Sequence, residues 1–169
     1  VSFPVLWSKG DEIAVINNGK LFKFTIDSKD AGKSSATFIS TEAEGFDPAM
    51  DIFAYYPYSS ITSFDETQLN INVPSVQTYT TNNVNGNICS SFSVGAAPML
   101  CYRKANNTET LLFDNLFGVL KLQLTGSAGE KISKIEVMSN IEPYGTSISG
   151  PAQIAYKNDE HAVYLSGTE

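Results

Sequence analysis

Residues 111–137 read LLFDNLFGVLKLQLTGSAGEKISKIEV. A tight apolar cluster runs into an alternating stretch, with Leu120, Leu122 and Leu124 pointing one way and Lys121, Gln123 and Thr125 the other. Residues 126–130 then turn the chain, and Ile135 and Val137 start a second alternating run. Alternation with period two places one face on a core and the other in water. The stretch predicts sheet and carries no evident chemistry. Ahead of it, Leu112 to Val119 has room for one helical turn at most.

The same pattern recurs upstream. Asp11 to Asn17 predicts a strand with Ile13 and Val15 on one face. Asn18-Gly19 offers the two positive-φ positions of a type I′ turn, a strong hairpin signal. The return strand, LFKFTI, turns Phe22, Phe24 and Ile26 inward and Lys23 and Thr25 outward. Further short strands are predicted at ATFIS (36–40), at Met50 to Tyr56, and at LNINV (69–73). In the last of these Leu69, Ile71 and Val73 face in. Pro57 ends the Met50 run or confines it to an edge. Thr80 to Asn87, TTNNVNGN, reads as a polar loop. A final hairpin joins Ala152 to Tyr156 with Ala162 to Leu165 around Lys157 to Glu160. Many short strands separated by turn signals predict an all-β sandwich or barrel. At 169 residues the chain fits a single domain, 1–169, with enough sequence to bury a core without metal or disulfides.

The formal net charge is -7, the sequence pI is about 4.6, and charged residues make up 17%. An acidic chain repels phosphate backbones, so nucleic acid is not expected as a partner. No apolar run is long enough to span a membrane. The chain opens on Val1 without a Met and reads as trimmed at its N-terminus, where an export signal could have been removed.

The two cysteines, Cys89 and Cys101, stand twelve positions apart. If residues 88–94 pair with 97–103 around Gly95, the two lie opposite each other and a cross-strand disulfide fits. The alternative is a pair of small buried thiols.

Motifs of catalysis are faint. Gly32-Lys33-Ser34 lacks the upstream glycine of a phosphate loop, having Asp27 there instead. Asp27 to Gly32 only echoes a calcium loop, since Lys29 takes a ligand position. Asp11/Glu12, Glu42/Glu44/Asp47, Asp65/Glu66 and Asp159/Glu160 fall at turns and strand ends and read as solvated. His161, the single histidine, opens a strand beside a charged turn and has no nucleophile fixed to it by the sequence. No enzyme activity, cofactor or metal site is expected. Trp7, Tyr55, Tyr56, Tyr58, Tyr79 and Tyr102 could stack on sugars if exposed, although core packing is the ordinary use of such rings. Asn106-Asn107-Thr108 matches an N-glycosylation acceptor, which has meaning only in a host that reads it.

Several segments together resemble the fimbrillin-like surface proteins of Bacteroidales, the subunits of type V pili. They are Trp7-Ser8-Lys9-Gly10-Asp11-Glu12-Ile13-Ala14-Val15, Phe53 to Tyr58 (FAYYPY), Val73 to Tyr79 (VPSVQTY), Ala97-Pro98-Met99, Leu112 to Leu122, Ile132 to Val137 and Ser149-Gly150. Their order and spacing cover nearly the whole chain. The resemblance implies a transthyretin-like Greek-key β-sandwich, the N-terminal domain of a two-domain subunit. It implies export as a lipoprotein to the outer membrane or fimbrium. It also implies assembly with sister pilins through an extended donor strand, and a role in adhesion to a host protein or glycan. The alternative function is a surface lipoprotein that binds host or dietary glycans.

Overall fold

The structure, a computed structural model, describes residues 6–65, 67–76, 78–84, 87–92, 97–118, 122–136, 149–156 and 162–165. For Tyr79–Val84, Asn87–Phe92 and Ala162–Leu165 it describes the backbone alone.

Twelve strands are formed among these residues: β1 (Glu12–Asn17), β2 (Lys20–Ile26), β3 (Phe38–Ile39), β4 (Ile52–Tyr56), β5 (Ile61–Phe64), β6 (Gln68–Val73), β7 (Tyr79–Val84), β8 (Asn87–Phe92), β9 (Met99–Arg103), β10 (Asp114–Asn115), β11 (Gly150–Ala155) and β12 (Ala162–Leu165). Helix is limited to two three-residue 3-10 turns, Ser28–Asp30 and Tyr58–Ser60. Six strands form one antiparallel sheet in the order β10-β9-β4-β1-β2-β3, and four form a second in the order β12-β11-β6-β5. The hairpin β7-β8 stands as a third, two-stranded unit. The chain is therefore all-β, with two principal antiparallel sheets facing each other.

Local chemistry explains the first hairpin. Asn18 and Gly19 take φ values of 50° and 70°, both positive as a type I′ turn demands. The resulting register pairs Asn17 with Lys20 and runs to Glu12 with Thr25. Further on, Pro57 ends β4, and the turn Tyr58–Ser60 carries the chain from the large sheet to β5 in the smaller one.

The core lies between the two sheets. Ala14, Ile16, Phe53, Tyr55 and Leu100 from the large sheet meet Leu69, Ile71, Val73, Ala152 and Ile154 from the small one. Tyr156 closes one end, stacking on Phe53 of the large sheet at 5.1 Å and on Phe64 of the small sheet at 6.2 Å between ring centroids.

A second apolar layer covers the opposite face of the large sheet. Ile13, Val15, Phe22, Ile52, Ala54 and Cys101 are buried there beneath Trp7, Phe46, Leu111 and Phe113. Phe22 and Phe24 point into this outer layer and not into the space between the sheets. The strands β1 and β4 are consequently apolar on both faces, the pattern of central strands.

Two expectations from the sequence are corrected. Of the expected loop Thr80 to Asn87, residues 80–84 belong to β7 and Asn87 opens β8, paired from Tyr79 with Phe92 to Val84 with Asn87, while Asn85 and Gly86 lie outside the described residues. Leu122 to Thr125, and Ile135 at the start of the second alternating run, are not in strands. They have no regular structure, and Leu122, Leu124, Ile132 and Ile135 are exposed. The three-residue gap at 119–121 lies outside the described residues, as does Val137. Between Leu112 and Gly118 the chain forms the two-residue β10 and no helical turn.

Candidate functional site

The charged turns satisfy themselves. Asp30 is buried; its Oδ1 meets Lys33 Nζ at 2.6 Å, and its Oδ2 accepts the Thr37 N–H at 2.9 Å. The Lys33 ammonium, then the Thr37 amide, hold this carboxyl down at about 2. Asp27 accepts the Lys29 N–H and pairs with Lys29 Nζ at 2.7 Å. Every carboxylate oxygen of the calcium-like loop that is paired is paired with a donor of the chain itself. The phosphate-loop reading fails on the same geometry. Gly32 N–H donates to the Trp7 carbonyl and Lys33 N–H to the Asp30 carbonyl, so neither amide is free to cradle an anion. Asp65 caps its own turn, accepting from Thr67 N–H, Thr67 Oγ1 and Gln68 N–H. Among the described residues no group of three or more His, Cys, Asp or Glu is placed to hold a metal ion. His161, Asp159 and Glu160 lie outside the described residues.

Asp11 is the most unusual carboxylate. It is 8% exposed, accepts the Ser8 N–H at 2.7 Å, and receives the Tyr56 hydroxyl at 3.1 Å. Burial pushes its carboxyl upward against the lowering effect of these two donors. Burial, reinforced by the Asp11 charge, also raises the Tyr56 hydroxyl, so it remains a donor. For an acid with a raised folded pKa, the unfolded chain loses its proton first, and stability falls as pH rises through that window. We therefore expect Asp11→Asn, whose amide can still accept from Ser8 and donate to Tyr56, to be within about 1 kcal/mol of the parent at pH 7. Its urea-unfolding stability should lack the decline that the parent shows just above the ordinary aspartate range. A parent and variant with parallel pH profiles would show that burial does not raise the Asp11 carboxyl.

The aromatic residues are largely committed to packing. Tyr55 is fully buried, with its hydroxyl 2.7 Å from Ser60 Oγ. Trp7 makes edge contacts with Phe38, Tyr56 and Phe113 at 4.9, 5.3 and 5.7 Å. Lys23 Nζ sits 5.6 Å above the Tyr58 ring. The Tyr79 side chain lies outside the described residues, and Tyr102 is half-buried.

Cys101 is a free, buried thiol whose acidity burial lowers. The strand pairing that would set it opposite Cys89 is not formed. Cys101 in β9 stands opposite Ala54 of β4, whereas Cys89 in β8 stands opposite Asn82 of β7. The Cys89 side chain lies outside the described residues.

Sheet edges are the remaining candidates. The large sheet ends on two-residue strands at both sides. β10 covers only Met99 and Leu100 of β9, and β3 covers only Thr25 and Ile26 of the seven-residue β2. Among the described residues, Lys20 to Phe24 thus has no strand on its outer side. Leu21 and Phe24 are half-buried along it, Ile39 is 52% exposed, and Glu42 and Glu44 follow on the adjoining loop. An incompletely paired edge with apolar side chains is a template for an added strand. No family model, no curated protein and no solved structure matches the chain. No helix among the described residues is long and apolar enough to cross a membrane.

Asn17 was missed by sequence reasoning. Buried at 1% exposure, its amide holds the 47–51 segment by three hydrogen bonds. An Asn ahead of Asn-Gly reads as turn polarity, and nothing in the local pattern marks it as a staple.

Proposed function

We propose that this domain is a non-catalytic, exported surface subunit of the fimbrillin type that assembles with sister subunits by strand addition and contributes to adhesion. The observation that carries this proposal is the β2–β3 edge, where five of the seven β2 residues have no strand on the side away from β1 among the described residues. Outward backbone groups there can bond an incoming strand. The two-sheet, all-β architecture is compatible with the finer expectation of a transthyretin-like Greek-key sandwich. The segments of resemblance from Trp7 to Gly150 support the family reading, and the outer-membrane or fimbrial location and the lipoprotein route are what that resemblance implies.

The glycan-binding alternative draws less support, because Trp7, Tyr55 and Tyr56 engage other side chains. A ladder assay separates the two. Purified protein incubated at high concentration and run unboiled in mild detergent should give a series of multimers that boiling collapses. Absence of any multimer, together with binding on a glycan array, would replace assembly by sugar recognition.

A further inference from the structure

The small sheet has a second face, turned away from the core. Its central strands are β6 and β11, with β5 beyond β6. Leu69, Ile71, Val73, Ala152 and Ile154 are buried against the large sheet. Period two sends the intervening residues outward. On β6 and β11 these are Gln68, Asn70, Asn72, Pro151, Gln153 and Ala155, and none is charged. Strand β5 joins the same face through a bulge. Ile61 stands opposite Ile71 and Phe64 opposite Leu69, and the register shifts between Ile61 and Ser63. Ile61 and Phe64 are three positions apart, so an uninterrupted strand would turn them to opposite faces. The bulge lets both pack on the core and sets Ser63 opposite Asn70 on the outer face.

Ser63, Asn70 and Gln153 thus form one row across three strands. The row spans two strand spacings, about 10 Å, and Asn72 lies about 7 Å along β6 from Asn70. Asn70 Nδ2 donates to Ser63 Oγ at 2.9 Å, which fixes the Asn70 amide. Among the described residues, the Asn70 carbonyl oxygen and the whole amides of Asn72 and Gln153 have no partner. Asn70 and Gln153 are half-buried, and Ser63 and Asn72 are exposed. Each free amide presents donors and an acceptor side by side, and the Ser63 hydroxyl adds a donor.

We infer that this outer face of the small sheet is a binding site for a neutral glycan, contacted by Ser63, Asn70, Asn72 and Gln153. Neighbouring sugar hydroxyls each donate and accept, so a pyranose diol matches an amide with two hydrogen bonds. The row accommodates two linked rings. Other ligand classes fit poorly. The face has no cation for a phosphate or a nucleic acid, and no carboxylate for a calcium ion. It also lacks an apolar pocket for the anchor residue of a protein partner. The net charge of -7 disfavours sialylated or sulfated sugars. The inference does not rest on strand addition. It gives a location to the adhesive part of the reading above, and it is independent of Trp7, Tyr55 and Tyr56.

A glycan array and nuclear magnetic resonance test it. The array carries neutral hexose and N-acetylhexosamine oligosaccharides beside their sialylated and sulfated counterparts. Neutral members should bind and acidic ones should not. Titrating the best neutral binder into the 15N-labelled protein should move the side-chain amide signals of Asn70, Asn72 and Gln153, leaving the Trp7 indole signal in place. The double variant Asn72→Ala/Gln153→Ala should keep the parent melting temperature and weaken binding by about tenfold or more. If the double variant loses the parent circular dichroism, Asn72→Ala alone, at an exposed position, carries the comparison. Absence of binding to every neutral glycan would overturn the inference. So would equal binding of acidic counterparts, unchanged affinity in the variants, or shifts at Trp7 in place of the amides. Multimers in the ladder assay without glycan binding would leave strand addition standing and this site refuted, and glycan binding at these amides without multimers would do the reverse.

Discussion

Replacing Tyr55 with Ala should cost about 4 kcal/mol of folding stability. Tyr55 lies in β4, opposite Ala14 of β1 and Leu100 of β9, and is fully buried between the two sheets. Removing the ring leaves a cavity that backbone paired on both sides cannot collapse. Total stability of a domain this size is on the order of 5–15 kcal/mol, so the variant should be near unfolding at physiological temperature. Tyr55→Phe isolates the hydroxyl. Its partner Ser60 also donates to the Pro57 carbonyl at 3.0 Å, so Ser60 keeps a bond and the loss should be about 1 kcal/mol. Urea titration at 25 °C reads both values. An Ala variant within about 1 kcal/mol of the parent would place Tyr55 outside the core.

Asn17 should be the next most sensitive position. Its Nδ2 donates to the Asp47 and Asp51 carbonyls at 2.9 and 3.0 Å, and its Oδ1 accepts the Asp47 N–H at 2.8 Å. Asn17→Ala strips three bonds and leaves backbone groups to be rehydrated, for about 3 kcal/mol. Asn17→Asp should be worse at pH 7, because a carboxylate oxygen would then face two carbonyls in a buried site. Burial among acceptors would raise the pKa of the new acid. Its deficit should therefore shrink on acidification, as protonation restores a donor, and grow as pH rises. An Asp variant equal to Ala at all pH values would show that the donor geometry is unimportant.

Several elements were legible because their signals are local. Asn18-Gly19 determines a turn by its backbone preference alone, and the alternation in Gln68–Val73 needs only one buried face to be read. The β7–β8 hairpin was overlooked although Asn85-Gly86 lies between its strands. Its Thr and Asn residues carry no burial pattern, and polarity outweighed the turn signal. The opposite error befell residues 122–136. Their alternation is real, but alternation predicts a strand only where a partner supplies hydrogen bonds, and among the described residues none does. At the candidate site, the apolar side chains of the edge were readable and its incomplete pairing was not, because pairing depends on where Phe38–Ile39 ends.

By itself the sequence determined the all-β class and most strand positions, since composition, period and turn chemistry act over a few residues. Only the tertiary structure decided which strands are neighbours, that β1 and β4 bury both faces, that Asn17 ties β1 to the 47–51 segment, and that Cys101 lies in a different sheet from Cys89. Those outcomes depend on contacts between residues far apart in the chain. Their energies come from burial and hydrogen bonding that no local window contains.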